Sequence, residues 1–64
     1  MTTDQIKSGK TYENKKGHKR TVLEIGKIGT LGSQTVSYRR SAVEIGPNYT
    51  QLSSFADWAV REVA

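Results

Sequence analysis

The sequence predicts an α+β domain: a three- or four-stranded antiparallel sheet followed by one C-terminal amphipathic helix. Three observations carry this. Polar and apolar residues alternate with period two along 19–26 and 34–40. Turn-forming residues separate these runs, and beyond Leu52 the apolar period changes to 3.6.

Residues 1–9 are polar apart from Met1 and Ile6 and end at the turn residue Gly9, which predicts a flexible or loosely docked arm. Residues 10–64 then form the single sheet-and-helix domain. Lys10-Thr11-Tyr12-Glu13-Asn14 is a short strand by its threonine and tyrosine. Asn14-Lys15-Lys16-Gly17-His18 supplies hairpin-turn chemistry, with Gly17 free to take a positive φ. The second strand is Lys19 to Gly26. Leu23 and Ile25 point to one side of it, and Arg20, Val22 and Glu24 to the other. A bulge at Gly26 would let Lys27-Ile28 extend it. Gly29 to Ser33 is a loop, and the third strand, Gln34 to Arg40, puts Val36 and Tyr38 on one face.

Lys19-Arg20-Thr21-Val22-Leu23-Glu24-Ile25-Gly26 resembles Arg39-Arg40-Ser41-Ala42-Val43-Glu44-Ile45-Gly46 position by position. Two copies do not make a repeat array. Coincidence within strand-like composition is the preferred reading, and either way it predicts strand character from Ala42 to Ile45. Gly46-Pro47-Asn48-Tyr49 closes the sheet region. Ser53 or Ser54 is positioned to cap the helix, with Asp57 three residues after Ser54. Leu52, Phe55, Ala56, Ala59, Val60 and Val63 form its apolar face, and Trp58 lies at the edge of that face. A helix of about ten residues does not persist alone in water, so it must cover the sheet. One form of such a sheet is curled like a small SH3-type barrel.

With 64 residues there is room for one core. The chain has no cysteine and one histidine, which excludes disulfides and zinc fingers and leaves packing or self-association as stabiliser. Both a monomer and a homodimer fit. No cofactor or metal is expected. The N-terminal residues lack the order of a signal peptide, and no apolar run approaches a membrane span, so a cytoplasmic protein with no membrane partner is expected.

No catalytic residue is predicted. His18, the only histidine, has no carboxylate beside it in sequence, the Gly29–Ser33 loop lacks the lysine and spacing of a P-loop, and the six carboxylates form no acid pair. Glu24 and Glu44 could meet across the sheet, although solvated strand-face charges are the commoner outcome.

Charge is more informative. The formal net charge is +4, and it is uneven. Residues 1–28 hold seven lysines and arginines against Asp4, Glu13 and Glu24, whereas residues 41–64 hold Arg61 against Glu44, Asp57 and Glu62. The candidate binding surface is therefore Lys15, Lys16, Lys19, Arg20, Arg39 and Arg40, with Tyr12 as a residue that could stack on a base. A solubilising hairpin tip is the bland alternative. Tyr49 and Trp58 are candidate hydrophobic anchors, Trp58 more readily as a rim residue of the core.

Tyr12-Glu13-Asn14-Lys15-Lys16-Gly17, Arg20-Thr21-Val22-Leu23-Glu24-Ile25, Val36-Ser37-Tyr38-Arg39 and Leu52-Ser53-Ser54-Phe55-Ala56-Asp57-Trp58-Ala59 together resemble small proteins encoded by bacteriophages and prophages. The shared pattern is a tyrosine, Asn-x-x-Gly, a basic residue before Val-Leu, Val-x-Tyr, and a closing Ser-x-Phe-x-x-Trp-Ala helix. The present chain departs from it in a longer loop through Gly29 to Ser33. The resemblance implies a small accessory protein acting inside an infected bacterium, of the class that includes inhibitors of host defence such as anti-CRISPR proteins. The leading expectation is thus a non-enzymatic protein that modulates or inhibits a host protein or nucleoprotein complex. Alternatives are a DNA- or RNA-binding accessory factor using the same basic face, and a homo-oligomer that sequesters a small ligand.

Overall fold

The computed structural model describes residues 1–26 and 34–63. A 3₁₀ turn at Thr3–Gln5 is followed by strands β1 (Thr11–Glu13), β2 (Lys19–Ile25), β3 (Thr35–Arg39) and β4 (Asn48–Gln51). Helix α1 (Leu52–Trp58) and a fifth strand, β5 (Arg61–Val63), complete the chain. All pairings are antiparallel, in the order β4-β3-β2-β1-β5. The sheet is open, with β4 and β5 as its edges, so the curl does not reach a closed barrel.

The expected α+β fold is present, with two changes at the C-terminal end. A fifth strand exists, and the helix is not the last element. It stops at Ala59, whose backbone is extended (φ −77°, ψ 133°). Beyond it the Val60 N–H donates to the Glu13 carbonyl at 2.9 Å, and residues 61–63 pair with β1. The outer edge of β1 would otherwise leave its backbone groups unpaired, and the antiparallel pairing of Thr11, Tyr12 and Glu13 with Val63, Glu62 and Arg61 covers it. Val60 and Val63 fit the helical period but belong to this return segment, and Val60 is exposed. Neither Ser53 nor Ser54 caps the helix. Gln51 is the N-cap, without a side-chain cap bond, and the expected Ser54–Asp57 box is not formed.

The predicted β1–β2 hairpin is held by Asn14. Its Oδ1 accepts from the backbone N–H of Lys16 (3.0 Å) and of His18 (2.9 Å), while Gly17 takes φ +83°. This is an Asx-type turn that uses the side chain as a surrogate backbone acceptor.

The β2–β3 pair contains a bulge at Leu23, three positions before the one expected at Gly26. Val22 pairs with Tyr38 and Glu24 with Ser37, which leaves Leu23 as the extra residue. Because of this insertion Val22 and Ile25 both reach the core side, opposite Tyr38 and Val36. Unbroken alternation would place Val22 and Glu24 together and Ile25 on the other face. Leu23, expected to share a face with Ile25, is 40% exposed on the open face. Lys27-Ile28 and the Gly29–Ser33 loop lie outside the described residues.

No strand forms from Ala42 to Ile45. These residues lie in the connection between β3 and β4, and Val43 and Ile45 are almost fully exposed. The likeness to 19–26 is therefore one of composition, not of position in the sheet. Glu24 sits opposite Ser37 within the sheet, and Glu44 sits in this connection, so the two carboxylates are not brought into a pair.

The core lies between one sheet face and α1. Tyr12, Val22, Val36 and Phe55 are fully buried, and Ile6, Tyr38, Leu52, Ala56 and Ala59 surround them. Phe55 is the hub. Its ring meets Tyr12 edge-on (centroids 5.8 Å apart), Tyr38 edge-on (5.6 Å) and Trp58 at a tilt (5.5 Å). Residues 1–9 are docked rather than free: Ile6 is buried in the core, and the Met1 nitrogen donates to the carbonyls of Ala56 and Ala59. The Tyr12 hydroxyl donates to the Gln5 carbonyl (3.0 Å) and accepts from the Lys7 N–H (2.7 Å).

Candidate functional site

The basic residues are distributed by strand alternation. Lys19 pairs with Glu13 and Arg20 with Tyr12, so the two consecutive cations leave β2 on opposite faces. Arg20 goes to the core side, at the end of the sheet. There its guanidinium carbon lies 4.1 Å from the Trp58 ring centre, 4.6 Å from Tyr38 and 6.0 Å from Phe55. The aliphatic stem covers apolar surface, and the charged head lies against aromatic faces whose quadrupoles attract it.

Beside this stack the surface forms a hollow of about 260 Å³ lined by His18, Lys19, Arg20, Arg40 and Trp58. Lys15 and Lys16 are exposed on the turn that carries His18. Arg40 follows β3 and donates from Nε to Glu44 Oε2 at 3.0 Å. Asn48 Nδ2 donates to the other Glu44 oxygen. Burial acts to raise the Glu44 pKa, but the hydrogen bonds from Arg40 and Asn48, together with the Arg40 charge, outweigh it. The carboxyl is held below its ordinary value.

Only one other ion pair, Arg61 with Glu13, occurs among the described residues. Lys15, Lys16, Lys19, Arg20 and Arg39 have no carboxylate partner among them. The hairpin end is thus a concentration of uncompensated positive charge around a concave surface. Such a surface attracts phosphates or carboxylates and raises their rate of encounter.

The structure joins some predicted site residues and separates others. Lys19, Arg20, Arg40 and Trp58 meet at the hollow, with Lys15 and Lys16 on the adjoining turn. Arg39 does not join them. It pairs with Thr21 on the open sheet face, where Leu23, Ser41 and Ala42 are its neighbours in a second depression. Tyr12 is fully buried and cannot stack on a base, because its position opposite Arg20 faces the core. Trp58 has the core-rim role and is partly buried. Tyr49 is 68% exposed on edge strand β4, opposite Ser37, so the two candidate anchors do not share a surface.

His18 belongs to the hollow although the sequence marked it only as part of a charged turn. The contact of Arg20 with the aromatic residues had one sequence signal, its shared parity with Val22 along β2. The exposure of Val43 and Ile45 had none, since their composition reads as strand.

Among the described residues no group of three or more histidine, aspartate or glutamate side chains is placed to hold a metal ion. No helix among them is long and apolar enough to cross a membrane. No family model, curated protein or solved structure matches this chain.

Proposed function

We propose that this chain is a non-enzymatic binding module of phage type that engages a host protein or nucleoprotein complex through its basic hairpin end. The observation that carries the reading is the hollow lined by His18, Lys19, Arg20, Arg40 and Trp58, with Lys15 and Lys16 on the adjoining turn. Its cations stand on rigid supports: Arg20 is braced on Trp58 and Tyr38, and Arg40 is tied to Glu44. Pre-positioned charge loses less side-chain entropy on binding than charge on free stems.

Direct binding to DNA or RNA is the second reading, supported by the same cations. Burial of Tyr12 removes the expected base-stacking group, and Trp58 already lies against Arg20. Backbone phosphate contact would then dominate, with a steep dependence on salt.

The test is affinity capture from bacterial lysate with and without nuclease, using the wild type and K15E/K16E/K19E. Capture of a defined complex that survives nuclease and is lost in the charge-reversed variant is the expected result. Capture that disappears with nuclease, with salt-sensitive binding to random-sequence DNA, selects the nucleic-acid reading. Equal capture by the charge-reversed variant overturns both.

A further inference from the structure

The connection between β3 and β4 carries its side chains the wrong way round for a solvated loop. Glu44 is turned inward, its side chain 19% exposed, where it binds Arg40 and Asn48. Its neighbours Val43 and Ile45 are 87% and 98% exposed. The loop is also well fixed. The Glu44 N–H donates to the Ser41 carbonyl at 3.3 Å, Asn48 Nδ2 reaches the Tyr38 carbonyl, and Gly46 takes φ +76° immediately before Pro47. The carboxylate is thus held by two partners, Arg40 and Asn48, and the flanking aliphatic groups are left pointing into water. Two such side chains forgo most of the free energy that burial would give them, and exposed apolar groups held in a fixed shape are characteristic of contact surfaces.

We infer that the Ser41–Pro47 loop is a preformed apolar knob that seats Val43 and Ile45 in an apolar cleft with an acidic rim on a protein partner. The inference rests on the binding-module reading above and names the chemistry of its partner. Charge complementarity supplies the rim: Arg40 belongs both to the base of the loop and to the hollow with His18, Lys19 and Arg20. An acidic border around the cleft would meet these cations as the aliphatic side chains enter. A nucleic acid fits less well, because the two outward side chains, Val43 and Ile45, are aliphatic and offer a phosphate neither charge nor a hydrogen-bond donor. A second copy of the chain, with a formal charge of +4, would bring like charge to the same place.

The test is an NMR titration of the isotope-labelled full chain with three probes. They are a short amphipathic peptide with one leucine-rich and one glutamate-rich face, polyglutamate of equal charge, and single-stranded DNA of equal charge. Wild type is compared with V43S/I45S, whose altered side chains are exposed and contribute no core packing. The amphipathic peptide is expected to shift the Val43 and Ile45 methyl signals and to bind at least about tenfold more tightly than polyglutamate. V43S/I45S should lose that advantage and retain polyglutamate binding. Equal affinity for the two peptides overturns the knob and leaves the basic surface standing. Methyl shifts with DNA instead assign the loop to nucleic acid, and a dimer that V43S/I45S dissociates assigns it to self-association; either result overturns the inference. Absence of binding to every anionic probe overturns the basic-surface reading and the knob with it.

Discussion

The guanidinium of Arg20 lies over the indole of Trp58, its central carbon 4.1 Å from the ring centre, and thereby joins the start of β2 to the last residue of α1. The contact belongs to the core rim and to the basic hollow at once.

Arg20→Met, which keeps an unbranched stem and removes the charge, is expected to cost about 1 kcal/mol of stability through the lost contact with Trp58 and Tyr38. Arg20→Lys should recover only part of this, because an ammonium lacks the planar face. Urea unfolding measures both. Trp58 is the only tryptophan, so its fluorescence reports on the hollow directly. Polyanion binding at the hollow is expected to change the wild-type emission at low salt and to leave that of Arg20→Met much less affected.

Tyr12→Phe keeps the ring against Phe55 and removes the hydroxyl that binds the Gln5 carbonyl and the Lys7 N–H. The expected cost is about 1–2 kcal/mol, since two backbone groups lose their partner. Hydrogen exchange should show faster exchange at the Lys7 amide than at amides within β2. Equal acceleration throughout the chain would mean that the hydroxyl does not specifically hold residues 1–9 in place.

Deleting Leu23 should be tolerated better than deleting Thr21. Loss of the bulged residue leaves Glu24 opposite Ser37 and Ile25 opposite Val36, so the core set survives. Loss of Thr21 moves Arg20 and Lys19 to the opposite faces and withdraws Arg20 from Trp58. Chemical denaturation and circular dichroism of the two equally shortened chains make the comparison. Greater damage from the Leu23 deletion would contradict the assigned register.

Glu44 couples the loop to pH. Its folded-state pKa is below the ordinary carboxylate value, so the charged form is favoured by folding. Its contribution to stability is therefore fully present at pH above the ordinary carboxylate value and is lost as pH falls through the lower folded-state value. Glu44→Gln should flatten the acid limb of the stability profile between wild type and variant while leaving the neutral-pH fold intact. Val43 and Ile45 signals should broaden in the variant as the anchor weakens. An unchanged acid limb would show that the Arg40 and Asn48 contacts do not hold the charged carboxyl.

Much of the architecture was legible in local chemistry. Asn14 and Gly17 specify the first hairpin, Val36 and Tyr38 declare the core face of β3, and Leu52, Phe55 and Ala56 declare the buried face of α1. The C-terminal end was ambiguous because Ala59, Val60 and Val63 satisfy both a helical and an extended reading. The open edge of β1, which no local window contains, decides between them. The site was partly legible for the same reason: charge and turn chemistry place Lys15, Lys16 and Lys19 at the hairpin, whereas the directions of Tyr12, Arg20 and Arg39 depend on pairing.

Local sequence specifies an α+β domain with a basic hairpin and a packed amphipathic helix, because turn residues and apolar periodicity act over a few neighbouring positions. The tertiary structure alone decided the bulge at Leu23, the return of β5, and the union of Arg20, Arg40 and Trp58 around one hollow. It also decided that Glu44 turns in while Val43 and Ile45 turn out. These features depend on backbone groups seeking partners and side chains competing for one core across distant parts of the chain, which residue composition within a single segment does not encode.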